Sequence, residues 1–342
     1  MAAHSLPRRV LLRLLAAALS SLFAVSIFEI LLRIVNYHPR ISNRLLYVAT
    51  GRDILPHTLR PGYEGYHAGK KLTIDSDGYR VVRPDATVSD GALQPPDKVV
   101  LILGDSLVFG QGLADTQTIA SQLQDRLARR GQRYRVRNIG VPGYTSWNEY
   151  AALVDYWRQY RADMVIVVYV PNDVSLDNDH LGLGSGTYSL VANTRFHRFT
   201  QLLYSNIYTA YLVREGVKKA ATWSLAQEGR RVRSQYFDED AMDYSMEGLS
   251  RIKELCEREG VVFSVGIYRD LWHYTDPMTS SRYEEAIVRN LEERGMSWFL
   301  VSSHIEELPL REARVHWNDP HPSSKAVGLI VGDILKEIDS RL

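Results

Sequence analysis

The chain has 342 residues, 45% of them hydrophobic, enough for one large domain or two small ones. Lys and Arg total 41 against 40 Asp and Glu, and no basic run is long enough to track a phosphate backbone, so a nucleic-acid partner is excluded. The one cysteine, Cys256, excludes an intrachain disulfide and any cysteine-based metal cluster.

Arg8, Arg9 and Arg13 precede an apolar run from Leu14 to Leu32, 19 residues whose one charge is Glu29. At about 1.5 Å per residue such a helix covers most of a hydrocarbon core of roughly 30 Å. Arg13, Glu29 and Arg33 stand where they reach the head groups. The expected division is a cytoplasmic tail at 1–9, a transmembrane or signal-anchor helix at 10–35, and a body outside the cytoplasm, in a periplasm. Arg33, Arg40 and Arg44 follow the helix, so the Lys/Arg bias is close to a tie. Ala24-Val25-Ser26 offers the small residues of a cleavage site, which makes secretion after signal removal the alternative.

Residues 36–97 read as a pre-domain or linker. Turn signals recur at Arg60-Pro61-Gly62, Ser76-Asp77-Gly78, Arg83-Pro84-Asp85 and Gln94-Pro95-Pro96, with a short strand at Lys71–Ile74. The pattern then alternates. Lys98–Leu103 reads as a strand, and Thr118–Arg130 as a helix with Ile119, Leu123 and Leu127 on one face and Gly131 as its stop. Tyr134–Ile139 is a second strand. Ser146 caps a helix through Tyr160 that buries Trp147, Tyr150, Ala151, Val154 and Trp157. Met164–Val170, the most apolar strand, is expected to be central in a parallel sheet. An insertion at about 175–240 breaks the alternation, with a loop at Gly182–Gly186 and amphipathic helix over Arg195–Leu225; lid, acceptor platform and surface decoration are the readings open to it. Helices follow at Met246–Glu259, Tyr283–Arg294 and Ser324–Ile338, and strands at Val261–Ile267 and Ser297–Val301. This order implies right-handed crossovers and a three-layer α/β/α sandwich over 98–342, built on a mostly parallel five-stranded sheet.

Three segments follow strands and a fourth opens the last helix: Gly104-Asp105-Ser106, Asn138-Ile139-Gly140-Val141-Pro142-Gly143, Pro171-Asn172-Asp173 and Asn318-Asp319-Pro320-His321-Pro322-Ser323. Taken singly each has a plain reading. A serine after a strand is usually a helix N-cap, Gly140 and Asn172 are turn residues, Asp319 caps a helix, and His321 lies on the surface. Taken together they supply what acyl transfer needs. Ser106 is a nucleophile once a base removes its proton, and His321 is that base at neutral pH. Asp319, two residues before it, holds the imidazole tautomer. The backbone N–H groups of Ser106 and Gly140 and the Asn172 amide form an oxyanion hole. Gly140 leaves room for a tetrahedral centre to approach the backbone.

At these residues the chain resembles the SGNH, or GDSL, hydrolase superfamily, over about residues 98–340. The resemblance implies a flavodoxin-like SGNH fold, with Ser106, Asp319 and His321 as the triad and Ser106, Gly140 and Asn172 as oxyanion donors. Val108 stands where the family often has a hydroxyl residue, and Val170 where it has a glycine. The last block reads Asp-x-His in place of Asp-x-x-His, with Asn318 at the usual acid position. That variant is similar to membrane-anchored members and alginate-type O-acetyltransferases, as is Ile74-Asp75-Ser76-Asp77-Gly78-Tyr79-Arg80 upstream.

The function expected is a serine esterase or deacylase hydrolysing carboxylic esters through a Ser106 acyl-enzyme. The alternatives are an O-acyltransferase acting on a cell-envelope glycan and a non-catalytic envelope binding protein. The substrate is an acyl ester, which includes O-acetylated glycans and lipids. Tyr144 is a candidate wall of the acyl or acceptor pocket, and Trp272, His273 and Tyr274 a candidate carbohydrate-facing wall. No metal is expected, since His316 and His321 lack a ligand set, and no cofactor, since Gly110-Gln111-Gly112 lacks the context of a nucleotide loop. The absence of Gly-x-Ser-x-Gly argues against the α/β-hydrolase fold.

Overall fold

The computed structural model describes residues 8–35, 37, 44–84, 96–176, 203, 206–221, 238–269, 277–317 and 319–342. Its first element, α1 (Arg8–Ile34), contains a stretch, Leu12–Ile34, of 23 residues and mean hydropathy 2.2. All of that stretch but Leu32 lies outside the core, and it is long and apolar enough to cross a membrane, as anchors and signal sequences both are.

Two antiparallel ribbons follow: β1 (Tyr47–Arg52) with β2 (Leu55–Leu59), and β3 (Glu64–His67) with β4 (Lys70–Thr73). Leu46, Leu55, Leu59, Leu72 and Ile74 from this region are fully buried and share one apolar cluster with the body.

The body comprises β5 (Lys98–Leu103), α2 (Ser106–Phe109), α3 (Ile119–Arg129), β6 (Tyr134–Asn138), α4 (Ser146–Trp157), β7 (Met164–Tyr169), α5 (Tyr208–Ala221), α6 (Glu239–Glu259), β8 (Val262–Ile267), α7 (Pro277–Glu293), β9 (Trp298–Leu300), α8 (Leu310–Ala313), β10 (Arg314–His316), β11 (Asp319–Pro322) and α9 (Ser324–Arg341). Five strands form one sheet in the order β6-β5-β7-β8-β9, with every pair parallel. Successive side chains point to opposite faces. Val100, Ile102, Ile166 and Val168 pack with residues of α3 and α9, whereas Leu101, Leu103, Val165, Val167 and Tyr169 pack with residues of α4, α6 and α7. The result is the expected three-layer α/β/α sandwich. Because the strand order reverses at β5, the carboxyl ends of β5, β6 and β7 open onto the crevice where such sheets place their sites.

Local chemistry moves several boundaries. Thr118 caps α3 by accepting from Ser121 N–H at 3.2 Å, and Gly131, at φ +74°, ends it. Thr145, not Ser146, is the cap of α4; Asn148 Oδ1 accepts from its N–H at 2.8 Å, and the helix stops at Trp157. The helix expected from Met246 starts seven residues earlier, at Glu239, with Asp238 accepting from Ala241 N–H at 3.0 Å. Its polar first turn carries no apolar periodicity, which is why the sequence hid it. The segment before the last helix is a two-stranded ribbon rather than a loop, with Arg314 opposite Pro322 and His316 opposite Asp319. Of the insertion, α5 is the largest described part; Gly182–Gly186, Trp272, His273, Tyr274 and Asn318 lie outside the described residues.

Candidate active site

Ser106 is the first residue of α2, at the carboxyl end of β5. The capping role that a serine there would normally take falls to its neighbour: Asp105 Oδ1 accepts from Leu107 N–H at 2.8 Å. Ser106 Oγ is thereby free for other partners. The turn is tight. A Cβ on Gly104 would lie 2.4 Å from Val108 Cγ2, and Gly110 ends the four-residue helix at φ +83°.

Asp319 and His321 stand two apart on β11, so both side chains project from one face of the strand. Asp319 is buried, and its Oδ1 lies 2.6 Å from His321 Nδ1. His321 Nε2 lies 2.8 Å from Ser106 Oγ. A carboxylate only accepts, so the ring proton belongs on Nδ1, and Nε2 presents a lone pair to the serine hydroxyl. Ser323 caps α9, accepting from Ala326 N–H at 3.2 Å, which leaves Asp319 to the histidine.

Of the expected oxyanion donors, the Asn172 amide stands beside the Ser106 turn, and the Gly140 N–H has a partner of its own. Asn172 sits in a short turn of helix after β7 and donates through Nδ2 to Asp105 Oδ2 at 2.9 Å. The same oxygen lies 3.1 Å from Ser106 Oγ, so Asp105 holds nucleophile and amide together. The Gly140 N–H, however, donates to Asn138 Oδ1 at 2.9 Å, while Asn138 Nδ2 donates to Val108 O at 2.9 Å. Glycine is needed at 140 for a different reason from the one expected: a Cβ there would lie 2.3 Å from Phe109 N. The residue lets the β6 loop close against α2.

Tyr144 is 1% exposed, and its hydroxyl donates to His57 O at 2.9 Å, so it ties β2 to the body. Among the described residues no group of His, Cys, Asp and Glu has the geometry to hold a metal ion.

Several residues that sequence reasoning passed over shape the site. Glu149 and Asp173 are buried under it, both Glu149 oxygens and Asp173 Oδ1 lacking a hydrogen-bond partner. Burial pushes the Glu149 carboxyl well above its ordinary range, with Asp105 adding to the effect. Asp173 is raised likewise by burial and then by Glu149 and Asp105, against the pull of the Val170 N–H. Both are biased toward the neutral acid.

Residues from the segment before β5 brace α2 from behind. Arg80, 1% exposed, forms an isolated antiparallel bridge with Asn138. Its guanidinium donates to Phe109 O at 2.6 Å, Gly110 O at 2.7 Å and Leu113 O at 2.6 Å, and pairs with Asp115 at 3.3 Å. These are the carbonyls at and beyond the end of the helix that Ser106 begins. His67 packs edge-on against Phe109 and bonds Gln111 Oε1 at 3.1 Å, and His57 bonds Pro142 O at 3.1 Å.

Residues 102–263 match the family model of the GDSL-like lipase/acylhydrolase family. A search of the curated proteins finds no match. Among solved structures the chain is similar to TesA, at 16% identity and TM-score 0.44, covering 72% of this chain and 100% of that one. It is similar also to the psychrotrophic esterase EstA from Pseudoalteromonas sp., at 15% identity and TM-score 0.42, covering 71% and 98%. A third is the acetyl xylan esterase AlAXEase, at 12% identity and TM-score 0.42, covering 70% and 99%. The segment that matches the GDSL-like lipase/acylhydrolase family model holds the Gly104-Asp105-Ser106 turn at the end of β5, and it is over residues 102–263 that the chain is similar to that family.

Proposed function

We propose that the chain hydrolyses carboxylic esters through an acyl-enzyme on Ser106, with His321 as base and Asp319 as its orienting partner. The observation that carries this reading is the continuous line from Asp319 Oδ1 to His321 Nδ1 at 2.6 Å and from Nε2 to Ser106 Oγ at 2.8 Å. Nε2 takes the hydroxyl proton as Oγ attacks the ester carbonyl. The Asn172 amide turns from Asp105 to the developing oxyanion, which is the stronger acceptor. The tetrahedral species collapses, the imidazolium protonates the departing alkoxide, and an alcohol leaves. Water then attacks the acyl-enzyme with His321 again taking its proton, and the free acid is released.

In the same reading α1 is kept as an anchor, residues 36–97 are a pre-domain serving the hydrolase domain at 98–342, and the body lies outside the cytoplasm. The test is Ser106→Ala in the full chain, purified in detergent and assayed with 4-nitrophenyl acetate and a fluorophosphonate probe. Turnover and labelling should both vanish while the circular dichroism spectrum is unchanged. Turnover that survives in the folded variant would refute the assignment.

A further inference from the structure

The carboxyl-terminal end of α1 is built into the body. Glu29, the one charge in the apolar run, accepts from Tyr208 N–H at 3.1 Å and Thr209 N–H at 2.9 Å. It thus satisfies the opening turn of α5 as a carboxylate at a helix N-terminus does. Arg33 pairs with Glu29 at 2.9 Å, donates to Asn206 O at 2.7 Å, and lies 4.6 Å over the Tyr208 ring. Tyr37, just beyond the helix, meets Tyr208 edge-on at 6.4 Å and Trp317 at 6.0 Å.

Trp317 is 54% exposed and stands on the approach to β11. It stands four positions before His321, so at about 3.5 Å per residue the catalytic histidine lies within roughly 14 Å of it. Arg33, Tyr37, Tyr208 and Trp317 form a collar of one arginine and three amphipathic rings where a membrane-crossing helix emerges. That is the composition favoured at the level of lipid head groups, apolar on one side and wet on the other. The apolar run is exposed from Leu12 to Phe28 and meets the body only at Glu29 and Leu32, so the bilayer that takes the helix must meet the collar at its surface.

We propose that the collar seats on the lipid head groups and holds the Ser106–His321 site against the bilayer, where it acts on amphiphilic acyl esters held in the membrane. This rests on the ester-hydrolase reading above and on α1 being retained. A site so placed receives esters whose acyl chains stay in the leaflet, and α5, held by Glu29 at the same level, lies beside them.

The experiment uses the full chain reconstituted in vesicles of phosphatidylcholine and phosphatidylglycerol. Brominated phosphatidylcholine should quench the tryptophan emission, and Trp317→Phe should remove a share of that quenching; equal quenching in both proteins overturns the seating. In the kinetic arm, Arg33→Leu combined with Tyr37→Ser should lower turnover of 4-nitrophenyl palmitate dissolved in the vesicles by about ten-fold. Turnover of 4-nitrophenyl acetate in water should stay within about two-fold. Equal loss on both esters, or loss on neither, overturns the proposal. So does an intact mass showing that the membrane-extracted chain has been cleaved after the apolar run. If the wild type hydrolyses neither ester, the ester-hydrolase reading falls and the membrane-held substrate with it, while the quenching still decides where the collar sits.

Discussion

Removing the Arg80 guanidinium should destabilise the body severely. Arg80→Met keeps an unbranched apolar stem and deletes the five donors. Phe109 O, Gly110 O and Leu113 O lose the guanidinium as donor at once, only the Leu113 N–H staying on Gly110 O at 3.1 Å, and Asp115, 8% exposed, loses the nearer of its ion pairs, the other being Arg83 at 3.9 Å. Burial pushes the guanidinium down to about 10 against the pull of Asp115, so it carries its charge at neutral pH. Removing one partner of such a buried pair costs about 3–5 kcal/mol. Against a typical domain stability of about 5–15 kcal/mol, that is a large fraction of the whole. Urea unfolding of the full chain in detergent, followed by tryptophan emission, reads it as a fall in the midpoint at unchanged slope. Arg80→Lys should recover only part of the loss, because one ammonium cannot reach acceptors arranged for a planar fork. A change below about 1 kcal/mol in Arg80→Met would refute the argument, since that is the scale of one ordinary hydrogen bond.

Asp319→Asn should leave His321 in place but offer its Nδ1 an amide, and kcat should fall by about four orders of magnitude while KM changes little. Asn172→Ala should lower kcat by about two to three orders of magnitude without preventing fluorophosphonate labelling of Ser106, since the donor serves the oxyanion and not the nucleophile. His67 gives a pH signature. Burial lowers its pKa from 6.5 to about 4, with Gln111 pulling the other way, so the folded state stays deprotonated where the unfolded chain takes up a proton. Stability is therefore lost as pH falls from 6.5 toward 4, at up to about 1.4 kcal/mol per pH unit. Urea midpoints of His67→Gln across that window should show a flatter dependence than the wild type, and an identical slope would count against the assignment.

The strands β5 and β7 are legible because each is a short apolar run closed within a residue or two by Gly104 or Pro171, a signal carried within about ten residues. The amide of Asn172 and the carboxylate of Asp105 are separated by 67 positions, and Arg80 reaches carbonyls 29 to 33 positions away; no local pattern encodes such pairs. Competition between neighbours was equally hidden. Asp105 and Ser106 are both good caps, and only the turn geometry shows that Asp105 takes the role. Gly140 was noticed for the right residue and the wrong contact, since the close approach that excludes a Cβ is made by the backbone of α2.

These long-range contacts bear on how the proposed cycle begins. Asp105 Oδ2 accepts from Asn172 and lies within reach of the Ser106 hydroxyl, so before substrate arrives the amide that should meet the oxyanion is committed elsewhere. Its release is favourable only if the oxyanion is the better acceptor, which a tetrahedral alkoxide is and a ground-state ester carbonyl is not. The arrangement therefore stabilises the transition state more than the bound ester. The neighbouring acids work in the same direction. Ionised Glu149 and Asp173 would set further negative charge beneath a developing anion, whereas burial biases both toward the neutral form. Acids biased toward the neutral form spare the oxyanion their repulsion, which gives a physical reason for carboxyl groups that make so few contacts of their own.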